Sequence, residues 1–92
     1  MNKEVEEALM HIEVVKGVYE PIKKHSYMGY PLVYENLHKT LIEETSILDK
    51  NNYEYSEEEK KLLDELKSTF FGNCSEEYKR DYNSENNKGF SL

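Results

Sequence analysis

Ninety-two residues with a net charge of -7, 37% hydrophobic residues and a mean hydropathy of -0.90 describe one small acidic domain with little apolar material for a core. A surface of that sign repels nucleic-acid phosphates and anionic membranes and attracts basic protein surfaces. No apolar run approaches the roughly 18 residues of a membrane span, and the single cysteine, Cys74, excludes an intramolecular disulfide and fits a reducing, cytoplasmic setting.

The segment Met1-Asn2-Lys3-Glu4-Val5-Glu6-Glu7 is too acidic and too broken for a signal peptide. From Lys3 onward Val5, Ala8, Leu9, Ile12, Val15, Val18, Tyr19 and Ile22 recur at three- and four-residue intervals, which predicts a helix with one apolar stripe. Glu4, Glu6 and Glu7 sit near its start, where the helix dipole favours negative charge, and Lys16, Lys23, Lys24 and His25 lie toward its other end. Pro21 is expected to end or kink it, since proline lacks the backbone donor and crowds the preceding turn. Ser26-Tyr27-Met28-Gly29-Tyr30 reads as a loop, and Pro31 suits the first position of a second helix. That helix turns Tyr34, Leu37, Leu41, Ile42, Thr45 and Leu48 inward and stops at Asp49-Lys50-Asn51-Asn52.

Ser56-Glu57-Glu58-Glu59 has the form of a capping box, with the serine hydroxyl on a backbone donor and Glu59 reaching back to the cap. Leu62, Leu63, Leu66 and Phe70 supply the buried face of this third helix, and Gly72 is placed to terminate it. Ser75-Glu76-Glu77 opens a short fourth helix with Tyr78 and Tyr82 stacked four apart. Residues 83–92 are polar and read as a loose tail, with Phe90 and Leu92 available to pin it. The expected fold is all-α, a three- to four-helix assembly over residues 1–82, with homodimerisation as one way to enlarge a thin core. Eight tyrosines and no tryptophan suit half-buried positions and interfaces.

The residues that carry chemistry do not assemble into a catalytic pattern. His11, His25 and His38 lack metal-ligand spacing and read as helix-surface or boundary residues. Cys74 lies near a helix start, which lowers a thiol pKa, but beside Glu76 and Glu77, which raise it. The glycines are scattered and form no phosphate loop. Acid pairs such as Glu43/Glu44 and Asp64/Glu65 are ordinary on solvated helices. The expectation is a protein that is not an enzyme and uses no cofactor or metal.

Charge is unevenly distributed: -3 over residues 1–15, +2 over 16–39, -6 over 40–66 and zero over 67–92. Carboxylates three or four residues apart on a helix are separated by about 4.5–6 Å along its axis, a row comparable in step and sign to a nucleic-acid backbone. The residues expected to act as surrogate phosphates are Glu4, Glu6, Glu7, Glu43, Glu44, Asp49, Glu54, Glu57, Glu58, Glu59, Asp64 and Glu65. A solvated face with capping acids explains residues 57–59 without any partner.

In size, charge and texture, including Asn51-Asn52-Tyr53-Glu54-Tyr55 and Tyr82-Asn83-Ser84-Glu85-Asn86-Asn87-Lys88, the chain resembles the Arn-type anti-restriction proteins of T-even phages. That resemblance implies a phage-encoded dimeric DNA mimic in the host cytoplasm, blocking a McrBC-like restriction nuclease or an H-NS-like nucleoid protein, with no direct binding of nucleic acid. The basic stretch at residues 16–24 would interrupt a uniformly negative rod unless folded away from it. Two other readings stand beside this one. The first is a bacteriocin-immunity or antitoxin-like bundle, which would depend on Tyr, Phe or Leu hot spots. The second is a transcription co-regulator that docks on RNA polymerase or a sigma factor through an exposed Leu62/Leu66/Phe70 stripe.

Overall fold

The computed structural model describes residues 2–25 and 30–87; the expected loop at residues 26–29 and the pins Phe90 and Leu92 lie outside the described residues. Among those described, the chain forms α1 (Lys3–His25), α2 (Pro31–Lys50), α3 (Glu57–Gly72) and α4 (Glu76–Asn87), with no strand. The fold is all-α, as the periodicity predicts.

α2 is the central helix, with α1 and α3 packed against it. Asn51, just past the end of α2, hydrogen-bonds Asn2 and Glu4 at the start of α1 (2.9 and 2.8 Å), so the two helices run antiparallel. At the far end Tyr19 of α1 meets Tyr34 of α2 and Phe70 of α3, with ring centroids 6.5 and 5.1 Å away. Leu41, Leu48 and Phe70 are fully enclosed, joined by Val5, Ala8, Ile12, Val15, Leu37, Leu63 and Leu66. The helices spread into a slab 43 × 39 × 21 Å. Its thin dimension is about two helix diameters, so one side of each helix stays exposed.

The ends of the helices follow from named side chains. Pro31 stands at the first helical position of α2. The end of α2 is a complete Schellman turn: Asn52 N–H donates to Asp49 O (3.1 Å) and Tyr53 N–H to Leu48 O (3.0 Å). Asn52 takes the left-handed conformation this turn requires, with φ 57°, a region that asparagine tolerates better than most side chains. At α3 the capping box forms in both directions: Glu59 N–H donates to Ser56 Oγ (3.1 Å) and Ser56 N–H to Glu59 Oε1 (2.8 Å).

Several expectations shift. α1 runs through Pro21 to His25. The donor that proline lacks would have met the carbonyl of Gly17, and Gly17 is exposed with open space around it, so water can take that role. Val18 and Leu62, assigned to the core, are 44% and 36% exposed, because each lies at the edge of its apolar stripe. Gly72 falls inside the last turn of α3, and Asn73 ends the helix at φ -98°, its side-chain Nδ2 donating to Thr69 O (2.8 Å). The tail expected to begin at residue 83 is helical as far as Asn87, since α4 is anchored on one side by Tyr78 and Tyr82 and needs no second apolar row.

Candidate functional site

Because α1 and α2 are antiparallel and α3 follows α2 through a short connection, the start of α1, the end of α2 and the start of α3 meet at one end of the molecule. Two stretches distant in sequence, residues 4–7 and 49–59, thereby deliver Glu4, Glu6, Glu7, Asp49, Glu54, Glu57, Glu58 and Glu59 to the same region. The cations there are Lys3, Lys50 and Lys60, the last 3.6 Å from Glu57. The basic residues Lys23 and Lys24 stand at the opposite end of α1. Those two lysines are therefore held away from the acidic end, while Lys16 lies close enough to Glu59 to stabilise its anion.

Tyrosines hold two of these carboxylates. Tyr53 donates its hydroxyl to Glu59 Oε2 (2.8 Å) and Tyr55 to Asp49 Oδ1 (2.9 Å), with the two rings edge to face at 5.1 Å. The backbone donor of Ser56, then the Tyr53 hydroxyl, hold the Glu59 carboxyl below its ordinary pKa, so it is fixed as an anion. The hydrogen bond to Glu59 raises the Tyr53 hydroxyl, and burial and then Asp49 raise that of Tyr55; both are donors throughout the physiological range. Glu4 is oriented by Asn51. The side chains of Glu6, Glu7, Glu54 and Glu58 are exposed and make no hydrogen bond or ion pair with a described residue.

The remaining candidates separate from this group. Glu44 is 8% exposed and pairs with His11 Nδ1 at 3.1 Å, so it does not display a charge to solvent. Its position explains this: residue 44 falls on the line of Leu37, Leu41 and Leu48 that faces the core. Glu43 is exposed on α2, beside the groove under α4. Asp64 and Glu65 are exposed on α3; Asp64 lines a cleft with Asp49 and Tyr55, but Lys60 and Lys67 line it too and break the run of acids. The acids form a cluster at one end rather than a continuous row.

A second polar and aromatic assembly docks α4. His38, expected at a surface or boundary, is 3% exposed and enclosed by Phe71, Tyr78 and Tyr82 at 5.0–5.6 Å. Its Nδ1 lies 2.7 Å from the Tyr78 hydroxyl, and burial, then Lys67, depress its pKa. Tyr78 and Tyr82 stack at 6.3 Å as their spacing predicts. Ser75 caps α4 by accepting from Tyr78 N–H (3.1 Å), and its hydroxyl donates to Glu35 Oε2 (2.7 Å). Burial, then Glu35, push the Cys74 thiol up to about 11, and it donates to Phe70 O (3.1 Å). A buried, protonated thiol is inert as a nucleophile at neutral pH.

Two apolar grooves flank α1, and no spacing in the sequence announces them. One, of about 330 Å³, lies between α1 and α3 and is lined by Leu9, Met10, Ile12, Leu62 and Leu63, with Glu13, Lys16 and Glu59 at its rim. The other lies between α1 and α2, lined by Val14, Val18, Val33 and Leu37. The stripe Leu62/Leu66/Phe70 is not an exposed face, since Leu66 and Phe70 are in the core. Among the described residues no three His, Cys, Asp or Glu side chains could hold a metal ion, and no helix is long and apolar enough to cross a membrane. No protein-family model, curated protein or solved structure matches the chain.

Proposed function

We propose that this protein is a non-enzymatic DNA mimic whose acidic end occupies the phosphate-binding surface of a DNA-binding host protein. The observation that carries the proposal is the convergence of acids from two distant chain segments, residues 4–7 and 49–59, at one end, with Lys23 and Lys24 of α1 at the other. Glu4, Glu6, Glu7, Asp49, Glu54, Glu57 and Glu58 are the surrogate phosphates. Those that Asn51 and Tyr55 hold in place lose less conformational entropy on binding. The partner is a restriction nuclease of the McrBC kind or an H-NS-like nucleoid protein, and a homodimer would present two such ends. Glu44 has no part in this surface, and Glu59 contributes a fixed anion already engaged in the helix cap.

The test is affinity capture from a bacterial lysate, eluted with excess duplex DNA, followed by binding to the captured protein over a salt series. Affinity should fall steeply with salt, because charge neutralisation drives the contact. Joint replacement of Glu54, Glu57 and Glu58 by lysine should weaken binding by about 100-fold, since like charges then face each other. An affinity that stays flat between low and high salt would rule the mechanism out.

The groove between α1 and α3 favours one other reading, an immunity- or antitoxin-like module that receives an apolar side chain of a protein partner. In that case Leu62→Asp would abolish binding and the lysine replacements would leave it unchanged.

A further inference from the structure

Glu7, Met10, Val14, Gly17, Pro21 and Lys24 recur along α1 at alternating three- and four-residue steps, and all six are exposed. They form a stripe on the side of α1 turned away from the core. Met10 and Val14 are each 58% exposed, which is costly for large apolar side chains in a protein with so little apolar material. The alternating step is that of a coiled-coil seam, in which side chains of one helix insert between those of another. A Cβ at Gly17 would meet nothing within 4 Å, so the space beside it is open to a side chain from outside the chain.

The ends of the stripe identify what covers it. Glu7 stands at one end and Lys24 at the other, and neither makes an ion pair with a described residue. A strip carrying opposite charges at its ends complements a copy of itself, provided the two run in opposite directions. In the antiparallel register Val14 faces Gly17, Met10 faces Pro21 and Glu7 faces Lys24, each pairing occurring twice about the two-fold axis. The valine fits where the glycine leaves room. A parallel arrangement would set Glu7 against Glu7 and Lys24 against Lys24.

We infer that the outer stripe of α1 is a homodimer interface in which two copies of this helix pair antiparallel, centred on Val14 and Gly17. The stripe shares only Glu7 with the proposed surrogate phosphates; the other acids of that end lie outside it and would remain exposed at both extremities of the pair. Glu7 to Lys24 spans about 26 Å of helix. A single strip of that length is smaller than the roughly 800 Å² per partner of standard stable interfaces, so the dissociation constant should be micromolar or weaker.

Sedimentation equilibrium of the full chain tests this, at about 0.15 M salt where the Debye length of about 8 Å screens the repulsion between two acidic chains. The wild-type chain should dimerise. Val14→Asp should abolish the dimer while leaving the helical circular-dichroism signal unchanged, because its side chain is exposed and lies outside the buried cluster. Glu7→Lys and Lys24→Glu should each weaken association about tenfold, and the two together in one chain should restore it. A wild-type chain that stays monomeric up to millimolar concentration overturns the inference. So do single reversals without effect, which is what parallel pairing or another interface predicts, and so does a double reversal that fails to rescue.

Discussion

The two ends of this molecule share α1, α2 and α3, with α4 added at one of them, and differ in the contacts that surround their buried side chains. At the acidic end polar contacts near solvent overlie the buried Val5, Ala8 and Leu48: Asn51 on Glu4, Tyr55 on Asp49, Tyr53 on Glu59, and the reciprocal cap at Ser56. Each such bond contributes on the order of 1 kcal/mol. At the other end rings meet rings, with Tyr19 and Tyr34 on Phe70 and the His38 cluster beside them. Those contacts exclude water and carry much more stability. The difference separates two tasks. Enclosed side chains secure the fold at both ends, Val5, Ala8 and Leu48 at one and the rings at the other, so the exposed acids are free to serve recognition.

The largest break in that contrast should come from Phe70→Ala. Removing a fully enclosed ring should lower unfolding free energy by about 3–5 kcal/mol, read as a fall in denaturation midpoint. A loss under 1 kcal/mol would mean that the aromatic end is not where stability resides. Acidification should act next, through His38. Its folded pKa lies below the ordinary 6.5, so the unfolded chain binds the proton more readily. The stability tied to a neutral His38 is fully present above pH 6.5 and declines as pH falls from there toward the folded pKa. Amide exchange in α4 should therefore accelerate below pH 6.5 relative to α2, and His38→Phe should remove that dependence. An α4 whose exchange relative to α2 is the same at pH 7 and pH 5.5 would contradict this account. The smallest effect belongs to the acidic end. Ser56→Ala, which removes one half of the cap, should cost about 1 kcal/mol, measured by urea denaturation. A cost comparable to that of Phe70→Ala would erase the distinction between the ends.

Much of the fold can be read from single residues. Ser56 with Glu59 announces the start of α3, Pro31 that of α2, and the intervals of Leu37, Leu41, Leu48 and of Leu63, Leu66, Phe70 fix their inner faces. What escapes is whatever depends on a neighbour. Glu44 reads as half of a solvated acid pair until its place in the Leu37/Leu41/Leu48 line is counted. His38 is enclosed only because α4 folds back over it, and nothing near residue 38 foretells that. Val18 satisfies a helical period yet lies over the edge of the contact. The acidic end was legible as a list of charges, while their convergence depends on the antiparallel order of α1 and α2, which no local pattern encodes. The same holds for the outer stripe of α1, which spacing alone cannot distinguish from an idle face.

The end where the acids gather is also where α1 and α3 begin and α2 finishes. Two helix beginnings carry about +0.5 charge each and one helix finish about -0.5, so the peptide framework itself places a slight positive excess beneath the carboxylates. The field that an approaching molecule meets is accordingly a little weaker than a tally of side chains implies. The same excess lowers the cost of crowding like charges together. An anionic face and two well-founded helix starts are, at this end, one and the same construction.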